Sequence, residues 1–102
     1  MDSPIDFNGL DTLVHGPARL GILTLVYLDG SLEFTALKKR LGLPDGALGA
    51  HLQKLENEGY LKVEKTYAGK RPRSTYTLLP AGRAAFRRHL AALEKLIDAV
   101  KK

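Results

Sequence analysis

The pattern that most constrains this fold is a single β-hairpin placed among helical segments. Residues Tyr60–Tyr67 alternate in polarity as a strand does, with Leu61 and Val63 on one face, and Ser74–Leu79 alternate again. The intervening segment Ala68–Arg73 contains glycine and proline, which indicates a turn. Its lysine and arginines make the tip of the hairpin cationic. We therefore expect a mainly α protein with a small β-hairpin.

The chain before the hairpin predicts a series of short helices. Pro17 is suited to the first turn of a helix, where its missing N–H costs little. Glycines mark the predicted ends of the segments, and Thr35 is predicted to cap the third helix. The predicted elements are a short helix over 10–15 closed by Gly16, a helix over Pro17–Leu28, an extended segment at Ser31–Glu33, a helix over 36–41 and a helix from about Gly46 to Gly59.

The helix before the hairpin has one apolar stripe and an unusually small outer face. Leu48, Leu52 and Leu55 recur at the spacing of a buried helical stripe. At about 100° per residue, small and polar side chains fall opposite or beside that stripe. Those side chains are Gly46, Ala47, Ala50, His51, Gln53, Lys54 and Asn57.

The last predicted helix carries an apolar seam. Its apolar residues follow spacings of four and three from Phe86 to Val100, which is an a/d pattern over about two heptads. Such a seam can pack on its own domain or on a partner helix, and together with the short N-terminal helix it favours a homodimer. The predicted interface residues are Leu10, Leu13, Val14, Phe86, Leu90, Leu93, Ile97 and Val100.

The order of these elements predicts a winged helix-turn-helix in a single domain spanning residues 1–102. Residues 34–58 form the helix-turn-helix pair, residues 60–79 form the hairpin called the wing, and residues 80–101 form the C-terminal dimerisation helix. The second helix of such a pair presents its outer, N-terminal face to base edges in the major groove of DNA. We call this helix, which ends at Gly59, the recognition helix.

Positive charge is concentrated in the predicted wing and the start of the last helix. The formal net charge is +5, yet residues 62–88 hold eight basic side chains and a single acid. A basic cluster of this kind attracts phosphates. The predicted DNA contacts are Lys38, Lys39, Asp45, Ala47, Gly49, Ala50, His51, Gln53, Lys54, Lys70, Arg71 and Arg73.

Two segments make the sequence recognisable. The recognition-helix phrase AHLQKLE over 50–56 is followed by GYL over 59–61, and the wing contains GKRPRSTY over 69–76. Together these segments resemble the small stand-alone winged-helix transcriptional regulators of bacteria and archaea, in the MarR/ArsR-like group. The resemblance extends over about residues 10–97.

The resemblance implies a homodimeric regulator, expected to be a repressor, on a pseudo-palindromic double-stranded DNA site. Similar regulators often carry Ser or Thr where this chain has Pro44, and we expect Asp45 to cap the recognition helix instead. They also carry polar residues where this chain has Ala47 and Gly49. Base readout is therefore expected to be sparse, with more reliance on DNA shape and phosphate contacts.

Other functions are less consistent with the sequence. A winged helix used only as a protein-interaction module remains the alternative, and a membrane-surface role through the basic C-terminal helix is disfavoured by its mixed polar face.

There is no cysteine, the three histidines lack ligand spacing and no catalytic constellation is present, so we expect no metal, no cofactor and no enzyme. The longest apolar stretch, Leu20–Leu28, is too short for a membrane span, and the acidic N-terminus is unlike an export signal; we expect a cytoplasmic protein. A small-molecule effector is compatible with the fold, but no motif encodes one.

Overall fold

Helices and strands follow the winged-helix order along the described part of the chain. The structure, a computed structural model, describes residues 10–101, so the acidic N-terminus around Asp2 and Asp6 lies outside it. Its elements are α1 (Pro17–Asp29), β1 (Ser31–Glu33), α2 (Phe34–Leu41), α3 (Asp45–Asn57), β2 (Leu61–Ala68), β3 (Arg71–Leu78) and α4 (Pro80–Lys101). The predicted fold class, mainly α with a small hairpin, is confirmed.

The segment before α1 is a single turn and not the predicted short helix. The backbone N–H groups of Val14 and His15 both donate to the Asp11 carbonyl, at 3.1 and 2.7 Å. Gly16 then adopts a φ of +134°, which residues with a Cβ rarely reach. The prediction was wrong because one isolated turn is costly to nucleate, and Gly16 ends the segment after that turn.

Helix α2 begins earlier than predicted. Glu33, the last residue of β1, is also the residue that precedes the helix, and its backbone is extended. Thr35 therefore lies inside the first turn, and the prediction that it caps the helix was wrong. Gly42, in the left-handed region with φ +66°, ends the helix as expected.

The start of α3 also corrects a prediction. Pro44 occupies the capping position without a side-chain hydrogen bond, and Asp45 is the first helical residue. The expected cap by Asp45 is therefore not formed. Its carboxylate instead lies in the first turn, where the positive end of the helix dipole favours a negative charge.

The three strands form one antiparallel sheet in the order β1-β3-β2. Strand β1 pairs with β3 only from Thr75 to Thr77, whereas β2 pairs with β3 along its whole length. The sequence predicted β1 as an extended segment but did not predict that it would become the third strand. Between Arg71 and Ser74, towards the tip of the hairpin, β3 is paired with β2 only. Pro72, which has no backbone N–H to donate, is therefore accommodated where β3 has a free edge.

The wing has a tighter tip than predicted. The strands continue to Ala68 and Arg71, and Gly69 and Lys70 alone connect them. Gly69 has φ +66°, and a glycine at the first central position is typical of the type II′ turn that joins twisted strands. Arg71 and Arg73 are consequently strand residues, with side chains on one face of the hairpin, and not part of a loop.

The core lies where α1 meets the helix-turn-helix pair, the sheet and the start of α4. Gly82 lets α4 approach this core closely, because a Cβ at that position would lie 2.4 Å from the Tyr60 carbonyl oxygen. The buried apolar residues among those described are Val14, Ile22, Leu23, Val26, Leu37, Leu48, Leu52, Leu55, Leu61, Tyr76, Ala85 and Phe86. Beyond His89, α4 leaves this core and becomes largely exposed.

Candidate nucleic-acid interface

Helix α3 exposes the face that the sequence predicted. Its three leucines, Leu48, Leu52 and Leu55, are 0–1% exposed and fix the rotation of the helix against the core. Of the predicted contacts on this helix, Asp45, Ala47, Ala50, Gln53 and Lys54 are exposed, whereas Gly49 and His51 are half-buried at its flanks.

The outer face of α3 is largely flat. In its N-terminal half, Gly46 and Ala50 carry no bulk, and further along the Gln53 amide donates a hydrogen bond of 2.9 Å to Asn57 one turn later. A helix about 10–12 Å across fits a major groove about 12 Å wide only when its facing side chains are small. This face can therefore approach base edges closely.

The junction between α2 and α3 holds an ion pair. Lys38 Nζ lies 2.7 Å from Asp45 Oδ1, and both side chains remain about half or more exposed to solvent. Lys38 and Lys39 also line an open cleft of about 480 Å³ at the α2–α3 turn. The two predicted phosphate contacts on α2 thus lie beside the first turn of α3.

The wing presents its cations on two faces. Arg71 and Arg73 are exposed and lie on the sheet face opposite to buried Tyr76, because strand side chains alternate. Arg73 Nε is 3.6 Å from Glu33 Oε1, so this arginine also ties the wing to β1. Lys70 is exposed at the tip. Strand β2 packs against α3, which brings the base of the wing beside the recognition helix.

The sequence analysis missed two side chains of the wing. Lys65 and Tyr67 pair with Ser74 and Pro72 and lie on the hairpin face shared with Tyr76, beyond the edge of the core. Tyr67 is 75% exposed, which is unusual for a large ring. The strand alternation that placed Leu61 and Val63 inward would have placed Lys65 and Tyr67 on that face.

The predicted dimer residues fall into two groups. Val14 and Phe86 are 0% and 3% exposed, so they pack in the core of their own chain and are not available to a partner. Leu10, Leu13 and Leu93 are half-buried. Leu90, Ile97 and Val100 are 43%, 52% and 80% exposed along the distal half of α4. This exposed stripe continues the line of Phe86 along one side of the helix.

A buried histidine joins the N-terminal turn to α4. His89 is 0% exposed; its Nδ1 accepts a hydrogen bond of 3.2 Å from the Asp11 backbone N–H, and its Nε2 lies 3.2 Å from His15 Nδ1. Burial, and then the neighbouring His15, lower the pKa of His89 below its ordinary value. The Tyr60 hydroxyl donates to Asp11 at 3.4 Å, and burial together with the Asp11 charge raises the Tyr60 pKa.

Neither a metal centre nor a membrane segment is found in residues 10–101. No group of three or more potential ligand side chains is arranged there to hold a metal ion. No helix in the same range combines the length and the apolar composition that crossing a bilayer requires.

Comparisons with known proteins agree with this geometry. The sequence pattern of the family described as winged helix DNA-binding domain matches residues 18–97. The chain is 35% identical to the uncharacterized protein MJ0432 of Methanocaldococcus jannaschii over 84 residues. The aligned region covers 82% of this chain and 91% of that protein.

Solved structures of transcriptional regulators share the fold. A transcriptional regulator homologue from Pyrococcus horikoshii is 30% identical with a TM-score of 0.82, over 88% of this chain and 89% of that one. A MarR family regulator from Silicibacter pomeroyi, 22% identical, matches in fold with a TM-score of 0.67, over 86% of this chain and 58% of that one. These relatives are regulators and not enzymes. This chain belongs to the family of winged helix DNA-binding domains and is similar to small winged-helix transcriptional regulators.

Proposed function

We propose that this protein binds specific sequences of double-stranded DNA as a homodimer and represses transcription where it binds. The observation that carries the proposal is the exposed, small outer face of α3 beside a cationic wing. A polyanionic duplex is the partner that suits a flat helix face flanked by lysines and arginines. In this arrangement α3 enters the major groove, and the wing contacts the adjacent phosphates or the minor groove.

The homodimer part of the proposal is supported by the exposed stripe of α4. Leu90, Ile97 and Val100 place apolar surface in water without a partner within residues 10–101. Burying this stripe against a second copy removes that cost. A two-fold dimer then presents two recognition helices, which requires a pseudo-palindromic site with half-sites about one helical turn, or roughly 34–36 Å, apart.

Repression follows from occupancy. A dimer that covers a promoter excludes other proteins from it without needing any further contact. Because the duplex is the ligand, the proposed place of action is the cytoplasm of the cell, where the chromosome lies.

The experiment that tests DNA binding combines Arg71→Ala with Arg73→Ala. We expect the double variant to bind every duplex about tenfold or more weakly, since each arginine–phosphate pair is a charge-assisted hydrogen bond. The dependence of log affinity on log salt flattens by about 0.9 for each phosphate that the variant no longer neutralises. Fluorescence anisotropy with duplexes selected from a random pool measures both quantities.

The matched control replaces Lys95 and Lys101 with alanine. Both side chains are exposed on α4, so this variant loses the same two charges away from α3 and the wing. Equal affinity in the two double variants would contradict a role for the wing. Selection that enriches no sequence, with only non-specific retention of DNA, would favour a protein-interaction module instead.

A further inference from the structure

The Lys38–Asp45 ion pair lies at the N-terminal end of the recognition helix. It connects α2 to the first turn of α3, and its carboxylate is 69% exposed at the N-terminal end of that helix. A lone carboxylate next to a phosphate backbone is unfavourable. The 2.7 Å contact with Lys38 places a positive charge beside the carboxylate, which offsets that repulsion.

Asp45 is also isolated among side chains that cannot form hydrogen bonds. The next five residues, 46–50, are glycine, alanine, leucine, glycine and alanine, and the leucine is fully buried. The N-terminal residues of a recognition helix are the ones that contact base edges. Within residues 45–50, a side-chain hydrogen bond to a base therefore has to come from Asp45.

An ionised carboxylate accepts hydrogen bonds and donates none. In the major groove, guanine presents two acceptors and thymine presents an acceptor and a methyl group, so both are mismatched to it. Adenine presents its amino group beside the N7 acceptor, whose partial negative charge opposes a carboxylate. Cytosine presents an amino donor without an adjacent acceptor of its own, which makes it the best match.

We propose that Asp45, held by Lys38, selects a cytosine in each half-site by accepting a hydrogen bond from its exocyclic amino group. The inference rests on the proposed DNA-binding function and adds a base preference to it. Lys38 acts as a positioning residue through its contact with the Asp45 carboxylate.

The test compares Asp45→Asn with Glu58→Gln. Each change removes one negative charge from an exposed side chain at one end of α3, so both raise general affinity for DNA similarly. The parent protein selects duplexes with a fixed cytosine in each half-site. Asp45→Asn loses that preference by about fivefold or more, the lower end of what one base contact contributes, and shifts it towards adenine, which the amide matches. Glu58→Gln keeps the cytosine.

The positioning role is tested with two adjacent lysines. Lys38→Gln and Lys39→Gln remove the same charge from α2, but Lys38 alone is paired with Asp45 in the described residues. We expect both variants to bind all duplexes more weakly, because each loses a phosphate-contacting charge, but only Lys38→Gln to weaken the cytosine preference as well. Equal effects on preference would overturn the positioning role.

The outcomes separate this inference from the proposed function. A parent protein that selects no sequence would refute sequence-specific binding itself. A parent protein that selects a site while Asp45→Asn selects the same site, with the same preference, would overturn the role of Asp45 and leave the function standing. Thermal unfolding of each variant verifies that the fold is retained, as expected for exposed positions.

Discussion

The outer face of α3 and the distal half of α4 are both exposed, yet their sequences place different chemistry in solvent. On α3 the outer positions of the N-terminal half are glycine and alanine, and those of the C-terminal half are the polar residues Gln53, Lys54 and Asn57. On α4 the exposed line contains Leu90, Ile97 and Val100. A surface for DNA has to be small and wettable, because the groove is narrow and hydrated. A surface for a second protein copy is stabilised by removing apolar area from water.

The comparison teaches that exposure alone does not define an interface. On α3 the regularly spaced apolar residues Leu48, Leu52 and Leu55 are buried in the core, whereas on the distal half of α4 the regularly spaced apolar residues are themselves exposed. The difference lies in the size and polarity of what remains outside. Substitutions that exchange these properties between the two surfaces should therefore affect one activity and leave the other intact.

The largest expected effect comes from adding bulk to α3. Ala50 is exposed at the centre of the outer face, so Ala50→Leu leaves the core untouched but prevents close approach to the groove floor. We expect specific affinity to fall about 100-fold or more, towards the level of non-specific binding. Anisotropy with a selected duplex measures the loss.

The same substitution on α4 provides the control. Ala84 is exposed on the side of α4 away from the apolar stripe, and Ala84→Leu should change neither DNA affinity nor the melting temperature by a measurable amount. If Ala50→Leu bound as tightly as Ala84→Leu, α3 would not be the element that enters the groove.

The next effect concerns the α4 stripe. Ile97→Glu places a charge at the centre of the exposed apolar line. The fold of the single chain should tolerate this charge, because the side chain is already 52% exposed. We expect the protein to dissociate from a dimer to a single chain of 11.2 kDa at micromolar concentration, while its helical content stays the same. Light scattering coupled to size exclusion measures the mass.

Ala91→Glu is the matched variant, since it adds the same charge to an exposed position away from the stripe. It should remain dimeric. A parent protein that already elutes at the mass of one chain would refute dimerisation through α4. That result would not contradict the proposed DNA contact of α3.

The sequence predicted those parts of the fold in which local signals agree. Pro17 with the run of apolar residues indicated α1, the leucine spacing indicated the rotation of α3, and strand alternation indicated the wing. These features depend on neighbours within a few residues of each other. The small outer face of α3 could be predicted for the same reason, because it is the complement of the leucine stripe.

The remaining features depend on contacts between distant segments. Glu33 forms an ion pair with Arg73, and His89 accepts a hydrogen bond from Asp11, 78 positions earlier in the chain. No local sequence pattern predicts either contact. Phe86 is covered by its own chain, because a heptad spacing shows which side of a helix is apolar but not what covers it, and Val14, assigned through the short N-terminal helix, is buried in the same core. The short N-terminal helix failed because tertiary contacts, and not propensity, hold that turn in place.

The smallest effect is a pH dependence at the root of α4, between the two surfaces compared above. His89 is buried and neutral, since its Nδ1 accepts the Asp11 N–H and its proton therefore lies on Nε2, towards His15. The groups that face it are His15 and Asp11 from the N-terminal turn, with Tyr60 bonded to the same aspartate.

The folded-state pKa of His89 lies below the ordinary value of 6.5, so below neutral pH the unfolded chain binds a proton that the folded chain does not. The contribution to stability is therefore complete above about pH 6.5–7 and is lost as the pH falls through 6.5 towards the folded-state pKa. Chemical denaturation at pH 7.5, 6.5 and 5.5 should show a falling free energy of unfolding in the parent protein. His89→Gln should lower stability at pH 7.5 and flatten this dependence, whereas His51→Gln should preserve it. An unchanged pH profile in His89→Gln would show that the buried histidine does not titrate on unfolding.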